Sequence, residues 1–320
     1  MNKMCVGVDI AKASFVVAIK IQDEHKVRSF SNDTEGFSVL LEWIETHSYD
    51  TCHFCMEATG KYGDALALFL YSQDLIVSVV NPAKIKYFMR SQLSRNKTDA
   101  VDARFICHYC ELLTPDAWQP LPLEQQELQA LVKRLDTVNK LILQDKNRLY
   151  NVEDIIKTSI DEHINYLENE SKRLAKQIDQ YINDNAELKA KSILLRSIPG
   201  IGPRTSSKTL AFLNNITQFD NAKKVAAYIG LNPQHAQSGT SLNYSHISKT
   251  GDPKLRKMFF MPALVAIQHE PSIKAFYNKL VSKGKAKKVA ICAVMRKLVH
   301  IIYGVLKSGL PFDAELICPR

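Results

Sequence analysis

The sequence predicts an α/β or α+β sheet domain at the N-terminus, then a long helical arm, then a mainly helical C-terminal part. Three observations carry this. Short β-type runs alternate with helical ones from Met1 to about Trp118. No glycine or proline interrupts the chain between Leu123 and Ile198, where apolar residues recur three and four apart. Pro199-Gly200-Ile201-Gly202-Pro203 then breaks two helical runs, and helices with short loops continue to about Leu306. Strands first in a meander and then alternating with helices make a layered sheet domain. The domains expected are 1–120, 121–190 and 191–320.

Taken in order, VGVD (Val6 to Asp9) and SFVVAIK (Ser14 to Lys20) are spaced to pair as a hairpin, with KVRSF (Lys26 to Phe30) as a third strand. Phe37, Leu40, Leu41 and Ile44 mark one face of a helix capped by Asn32, Asp33 or Thr34. CHFCME (Cys52 to Glu57) reads as a buried strand, followed after Gly60 by a helix through Leu70. LIVSVV (Leu75 to Val80) is a strand stopped by Asn81-Pro82. Two helices follow, the second from about Thr98 to Leu113. In the arm, Leu128, Leu131, Leu135, Val138 and Ile142 keep heptad-like spacing. After a break near Lys157, Ile160, Ile164, Leu167, Leu174 and Ile178 repeat it, as a coiled-coil hairpin does, or an ordinary helical bundle. AYIGLNPQHAQSGTS (Ala227 to Ser241) ends in a polar loop.

Composition narrows the function classes. With 46 % hydrophobic residues in 320, a core can be buried and wholesale disorder is excluded. The net charge of +9 points to a polyanionic partner. Twelve Lys or Arg against two acids, Asp252 and Glu270, lie between Lys249 and Lys297, a one-sidedness that suits phosphate contact better than a plain solvated face. No run of ~18 uncharged apolar residues predicts a membrane span, and the first residues lack a signal-peptide pattern, so the expected location is cytoplasmic. Seven cysteines in a reducing compartment do not make a disulfide framework. Cys52-x-x-Cys55 and Cys107-x-x-Cys110 stand too far apart for a zinc ribbon, and Cys52 and Cys55 point to opposite faces of one strand, so these read as core thiols. Tyr62 and Tyr87 read as core aromatics rather than stacking platforms.

Four carboxylates carry the chemistry. Asp9 and Glu57 each end a strand, and Asp99 and Asp102, three apart, share one helical face. Singly, each has an ordinary role open to it, as a turn residue or a helix cap. Together, carboxylates without matching cations repel, and divalent ions relieve that repulsion. Hard oxygen ligands suit Mg²⁺ or Mn²⁺, and such ions clamp the attacking and leaving oxygens of a phosphodiester. Farther on, LRSIPGIGPRTSSKTLAFL looks like a helix-hairpin-helix, in which Gly200, Gly202 and Arg204 approach a phosphate; the other reading of its Pro-Gly turn is a simple bend.

VGVDIAK, MEATGKY, VNPAKIKYF and RNKTDAVDARFI resemble the RuvC-like domain of insertion-sequence-110 type DEDD transposases, and GLNPQHAQSGT with ISKTGDPKLRKMF resembles their C-terminal part. The resemblance runs through nearly the whole chain. It implies an RNase-H-like first domain with a DEDD metal site at Asp9, Glu57, Asp99 and Asp102. It also implies a nucleophilic serine, Ser238 of the QSG stretch, with Ser241 as rival and His235 and His246 as possible helpers. Lys249, Lys254 and Arg256 would stabilise the phosphate, with Lys257, Lys285, Lys287 and Lys288 adding nucleic-acid contacts. The activity implied is strand cleavage, transfer and resealing of donor and target DNA through a phosphoserine, guided by a structured bridge RNA, in a dimer or tetramer. Two alternatives stay open: a Holliday-junction-type endonuclease that needs no serine, and a non-catalytic nucleic-acid-binding remnant.

Overall fold

The computed structural model describes residues 3–22, 24–47, 49–58, 60–92, 98–216, 219–238, 242–248 and 250–315, with backbone alone over 235–238 and 242–246. The chain divides into two compact units, Met1–Leu121 and Pro122–Arg320.

The first unit is a five-stranded sheet with helices on both faces. Its strands are β1 (Lys3–Ile10), β2 (Ser14–Ile21), β3 (Glu24–Ser31), β4 (Thr51–Glu57) and β5 (Ile76–Val80), in the order β3-β2-β1-β4-β5. β1, β2 and β3 are antiparallel, while β1, β4 and β5 run parallel. This order and the mixed strand directions are compatible with a DEDD, RNase-H-like domain. Side chains alternate across the sheet. Met4, Val6, Val8 and Ile10 of β1 join Cys52, Phe54 and Met56 of β4 in the larger core, under α1 (Thr34–Glu45) and α2 (Asp64–Ser72). Asp33 caps α1, accepting from the Gly36 amide at 2.8 Å. The other face carries α3 (Pro82–Ser91) and α4 (Asp99–Leu113), with Cys55, Val80, Ile85, Ile106, Tyr109 and Cys110 between them and the sheet. Cys52 and Cys55 thus lie on opposite faces, and the described cysteines are free thiols. Burial pushes the Cys52 and Cys107 thiols up to about 12, so both stay protonated.

Among the described residues, the second unit is helical apart from one hairpin. α5 (Leu123–Arg148) and α6 (Asp154–Asp184) are antiparallel, as the pairs Lys146–Glu168, Asn139–Ser171 and Glu127–Tyr181 show. The break between them is a short turn at Leu149–Asn151, not the expected break near Lys157; Lys157 sits in the first turn of α6, paired with Asp154 at 2.5 Å. Leu128, Val132, Leu135 and Val138 of α5 share one continuous core with α7 (Ala186–Arg196), α8 (Pro203–Leu213), α9 (Ala222–Ile229) and α13 (Lys287–Ser308). Residues 122–190 thus lie within this unit, and the buried faces of their helices join its core. α10 (Pro253–Met258), α11 (Phe260–His269) and α12 (Pro271–Ser282) complete it. Among the described residues, α13 alone is long and apolar enough to cross a membrane. Its Ala290, Val294, Leu298, Val299 and Ile302 are buried in the core, which is the reason for its apolarity.

The stretch expected as a polar loop after Ala227 forms a β-hairpin instead, β6 (Pro233–Ser238) with β7 (Leu242–Ile247). Gln234, His235, Gln237 and Ser238 make β6 polar in sequence, so only a weak strand signal marks the hairpin.

Candidate functional site

The carboxylate site is built on a close approach of α4 to β1. Gly7 is buried, and a Cβ there would overlap the Ala103 carbonyl oxygen and the Cys107 amide nitrogen. Ala18 of β2, Ala103 and Cys107 fill the space around it with small side chains. The Cys107 thiol donates to the Cys5 carbonyl at 3.1 Å, so α4 runs antiparallel to β1 and its first turn lies toward the end of the strand. Asp9 is two residues beyond Gly7 on the same face. Thr98 caps α4, its hydroxyl accepting from the Val101 amide at 3.3 Å, which fixes where Asp99 and Asp102 begin the helix.

Glu57 arrives by strand register. Val8 and Met56 are the last paired level of β1 and β4, so Asp9 and Glu57 are the next residue on each. Alternation from Cys55 puts Glu57 on the α4 face. All four expected carboxylates are thus delivered to one end of one sheet face.

The electrostatics register this gathering. Burial, and then the charges of Asp102, Asp99 and Glu57, push Asp9 up to about 6, against a single lowering contact from the Ile10 backbone. An all-oxygen set whose charges raise the proton affinity of Asp9 fits a hard divalent cation. Among the described residues, no three histidine, cysteine, aspartate or glutamate side chains lie close enough to hold a metal ion as they stand.

The rim of this end is also tied together. Asn32 donates through Nδ2 to the Ala11 carbonyl at 3.1 Å and the Tyr62 carbonyl at 3.0 Å, joining the β1–β2 turn to the loop after β4. Sequence reasoning missed both Asn32 and Gly7. A glycine inside a strand is a signal for close backbone approach that would have found Gly7; nothing local marks Asn32. Tyr62 and Tyr87, expected in the core, are 47 % and 64 % exposed.

In the second unit, Ser238 ends β6 opposite Leu242, at the tip of the hairpin. The side chains of Ser238, His235 and His246 lie outside the described residues, as do Ser241 and Lys249. Lys254, Lys257, Lys285, Lys287 and Lys288 are exposed. Arg256 is partly committed, donating through one guanidinium nitrogen to the Ile229 carbonyl at the end of α9 at 3.2 Å. Gly200 has φ +89°, and a Cβ there would overlap the Pro262 carbonyl oxygen of α11, so its conformation serves the turn and its packing. Gly202 and Arg204 are exposed at the start of α8.

Two family models match the chain, a DEDD transposase model of the IS110 type over residues 6–156 and the transposase IS116/IS110/IS902 family over residues 192–278. The chain is 35 % identical to the pilin gene-inverting protein of Moraxella lacunata over 99 % of both chains. It is 22 % identical to the transposase of insertion element IS1328 from Yersinia enterocolitica, over 98 % of this chain and 99 % of that one. To the IS1111A transposase of Coxiella burnetii it is 25 % identical, over 78 % and 76 %.

Proposed function

The chain belongs to the IS110 family of transposases, and on that premise we propose that it is a two-site DNA recombinase with a RuvC-like carboxylate centre and a serine nucleophile. One observation carries the reading: Asp9, Glu57, Asp99 and Asp102 lie toward one end of one sheet face, near enough that the charges of the other three act on Asp9. In this reading the four carboxylates hold Mg²⁺ or Mn²⁺, which when bound neutralises them and polarises a phosphodiester. The residues' own part is to fix those oxygens on two strands and one helix turn, elements stiff enough to keep a reacting phosphate in line.

Ser238 supplies the nucleophile from the hairpin tip. Its Oγ bonds to phosphorus as the ester oxygen of the cut strand leaves, and the serine proton passes to that oxygen. A hydroxyl of the second strand then attacks the phosphoserine, restoring Ser238 and sealing the joint without water. Lys249, Lys254 and Arg256 offset the charge on the phosphoryl oxygens. Gly200, Gly202 and Arg204 in a helix-hairpin-helix, together with Lys257, Lys285, Lys287 and Lys288, hold backbone phosphates without reading sequence. Sequence choice falls to a bridge RNA paired with donor and target DNA. A dimer or tetramer, joined through a coiled-coil arm of α5 and α6, brings serine and carboxylates together. The site of action is the cytoplasm.

The test is recombination between donor and target plasmids in cells, with the element's non-coding flanks present. Ser238→Ala and Asp102→Ala are expected to abolish joining while Ser241→Ala does not. Joining that survives Ser238→Ala removes the serine mechanism and favours a water-activated nuclease.

A second reading has its own support. The full-length likeness to a pilin gene-inverting protein favours inversion of a DNA segment in place over movement of an element. A plasmid carrying one segment between inverted sites separates the two: inversion without excision supports it.

A further inference from the structure

A second nucleic-acid contact can be read beside the carboxylates, on the assumption that they act on nucleic acid. α3 begins two residues after Val80, the β5 residue paired with Glu57, so the helix starts at the carboxylate end of the sheet. Asn81 caps it through the Ala83 amide at 2.8 Å. Ile85 is buried, and Phe88 packs edge-on against Tyr109 of α4 with ring centres 5.4 Å apart. The inner face of α3 is therefore occupied.

Its outer face is different. Lys84, Lys86, Tyr87 and Arg90 are all exposed, with Tyr87 64 % exposed. Among the described residues none of the three cations makes an ion pair. The chain carries five Lys or Arg and no acid between Asp74 and Asp99. This face of cations starts at the same end of the sheet as the four carboxylates. Charge of this sign complements phosphate. An aromatic ring left in water among cations is the composition of a stacking platform for unpaired bases.

We propose that the outer face of α3 seats an unpaired nucleic-acid strand leading to the carboxylates, with a base stacked on Tyr87 and phosphates held by Lys84, Lys86 and Arg90. Stacking needs an open base face, which an intact duplex does not offer along its length. The strand is DNA opened for cleavage or a single-stranded part of an RNA, and the shared chemistry is a flat base beside a phosphodiester.

The test uses the full chain without divalent metal, so that nothing is cut. Fluorescence anisotropy reads its affinity for a labelled single-stranded DNA, an RNA of the same sequence and a blunt duplex. Tyr87→Ala is expected to weaken single-strand binding about tenfold, within the range for one lost stack, and to leave the duplex unchanged. Tyr87→Trp retains wild-type affinity. The triple change Lys84→Gln, Lys86→Gln and Arg90→Gln lowers the salt dependence of single-strand binding by about two in log–log slope. Whichever single strand shows the loss identifies the occupant. Single-strand binding unchanged in Tyr87→Ala, or an equal loss on duplex, overturns the proposal while leaving the recombinase reading intact. Failure of the wild type to bind any of the three overturns both.

Discussion

Gly7 of β1 lies so close under Cys107 of α4 that no side chain fits between strand and helix. This one contact sets the depth at which α4 rests on the sheet, and so how near its first turn comes to Asp9. Gly7→Ala is expected to destabilise the chain by about 3 kcal/mol, as overpacking at a backbone contact does. Recombination should fall further than stability does, because α4 carries half of the carboxylates. Thermal melts and plasmid joining on the same preparations check this. A Gly7→Ala protein with unchanged melting and activity would contradict the packing described.

Replacing a carboxylate should spare the fold. Glu57→Gln and Asp102→Asn are each expected to cut joining by more than about 100-fold, exceeding what loss of an outer-shell partner does at a metal site. Their circular dichroism should match the wild type. Activity within tenfold of wild type for either change would remove that residue from the site.

Asp9 predicts a pH dependence of stability. Its folded value of about 6 lies above the ordinary carboxylate range, so the folded state holds its proton more tightly than the unfolded chain. Metal-free stability should therefore fall as pH rises from ~4 to about 6, and the penalty should stay constant above that. Discounted for the solvent that reaches a part-buried group, the loss is about 1 kcal/mol, or roughly 3 °C in melting temperature. Asp9→Asn should lose this dependence and melt higher than wild type at pH 8 in EDTA. Mg²⁺ should raise the melting point of the wild type more than that of the variant. An Asp9→Asn protein that melts lower than wild type at pH 8 would show that the repulsion is not felt.

Arg256 and Lys254 should separate cleanly. Arg256→Ala breaks the hydrogen bond to the Ile229 carbonyl and is expected to cost about 1.5 kcal/mol, in the range for bonds to charged groups. Lys254 is exposed, so Lys254→Ala should leave the melting point alone and lower the salt dependence of DNA binding by about one phosphate. Chemical denaturation and binding at several salt concentrations distinguish the two. Equal destabilisation by both changes would contradict this division.

Much of the fold was legible locally. The strands of the first unit, α1 with a cap among Asn32, Asp33 and Thr34, and α4 from about Thr98 followed from periodicity and capping chemistry, which are properties of neighbours in sequence. The β6–β7 hairpin was not, because β6 is mostly polar in sequence and pairing there is set by the partner strand. The break between α5 and α6 was misplaced by several residues, since heptad spacing continues through a turn that only packing defines. The exposure of Tyr62 and Tyr87 was missed for a related reason: an aromatic residue carries no sign of whether a neighbouring element covers it.

The sequence by itself determined which carboxylates exist, that each sits at the end of a strand or in the first turn of a helix, and which family they resemble. It could not decide that they lie toward one end of one sheet face. That was settled by the parallel register of β1 and β4, which levels Glu57 with Asp9, and by the bare backbone of Gly7, which lets α4 down onto β1. Register and interlayer distance depend on atoms far apart in the chain, and the raised proton affinity of Asp9 exists only once those atoms are assembled.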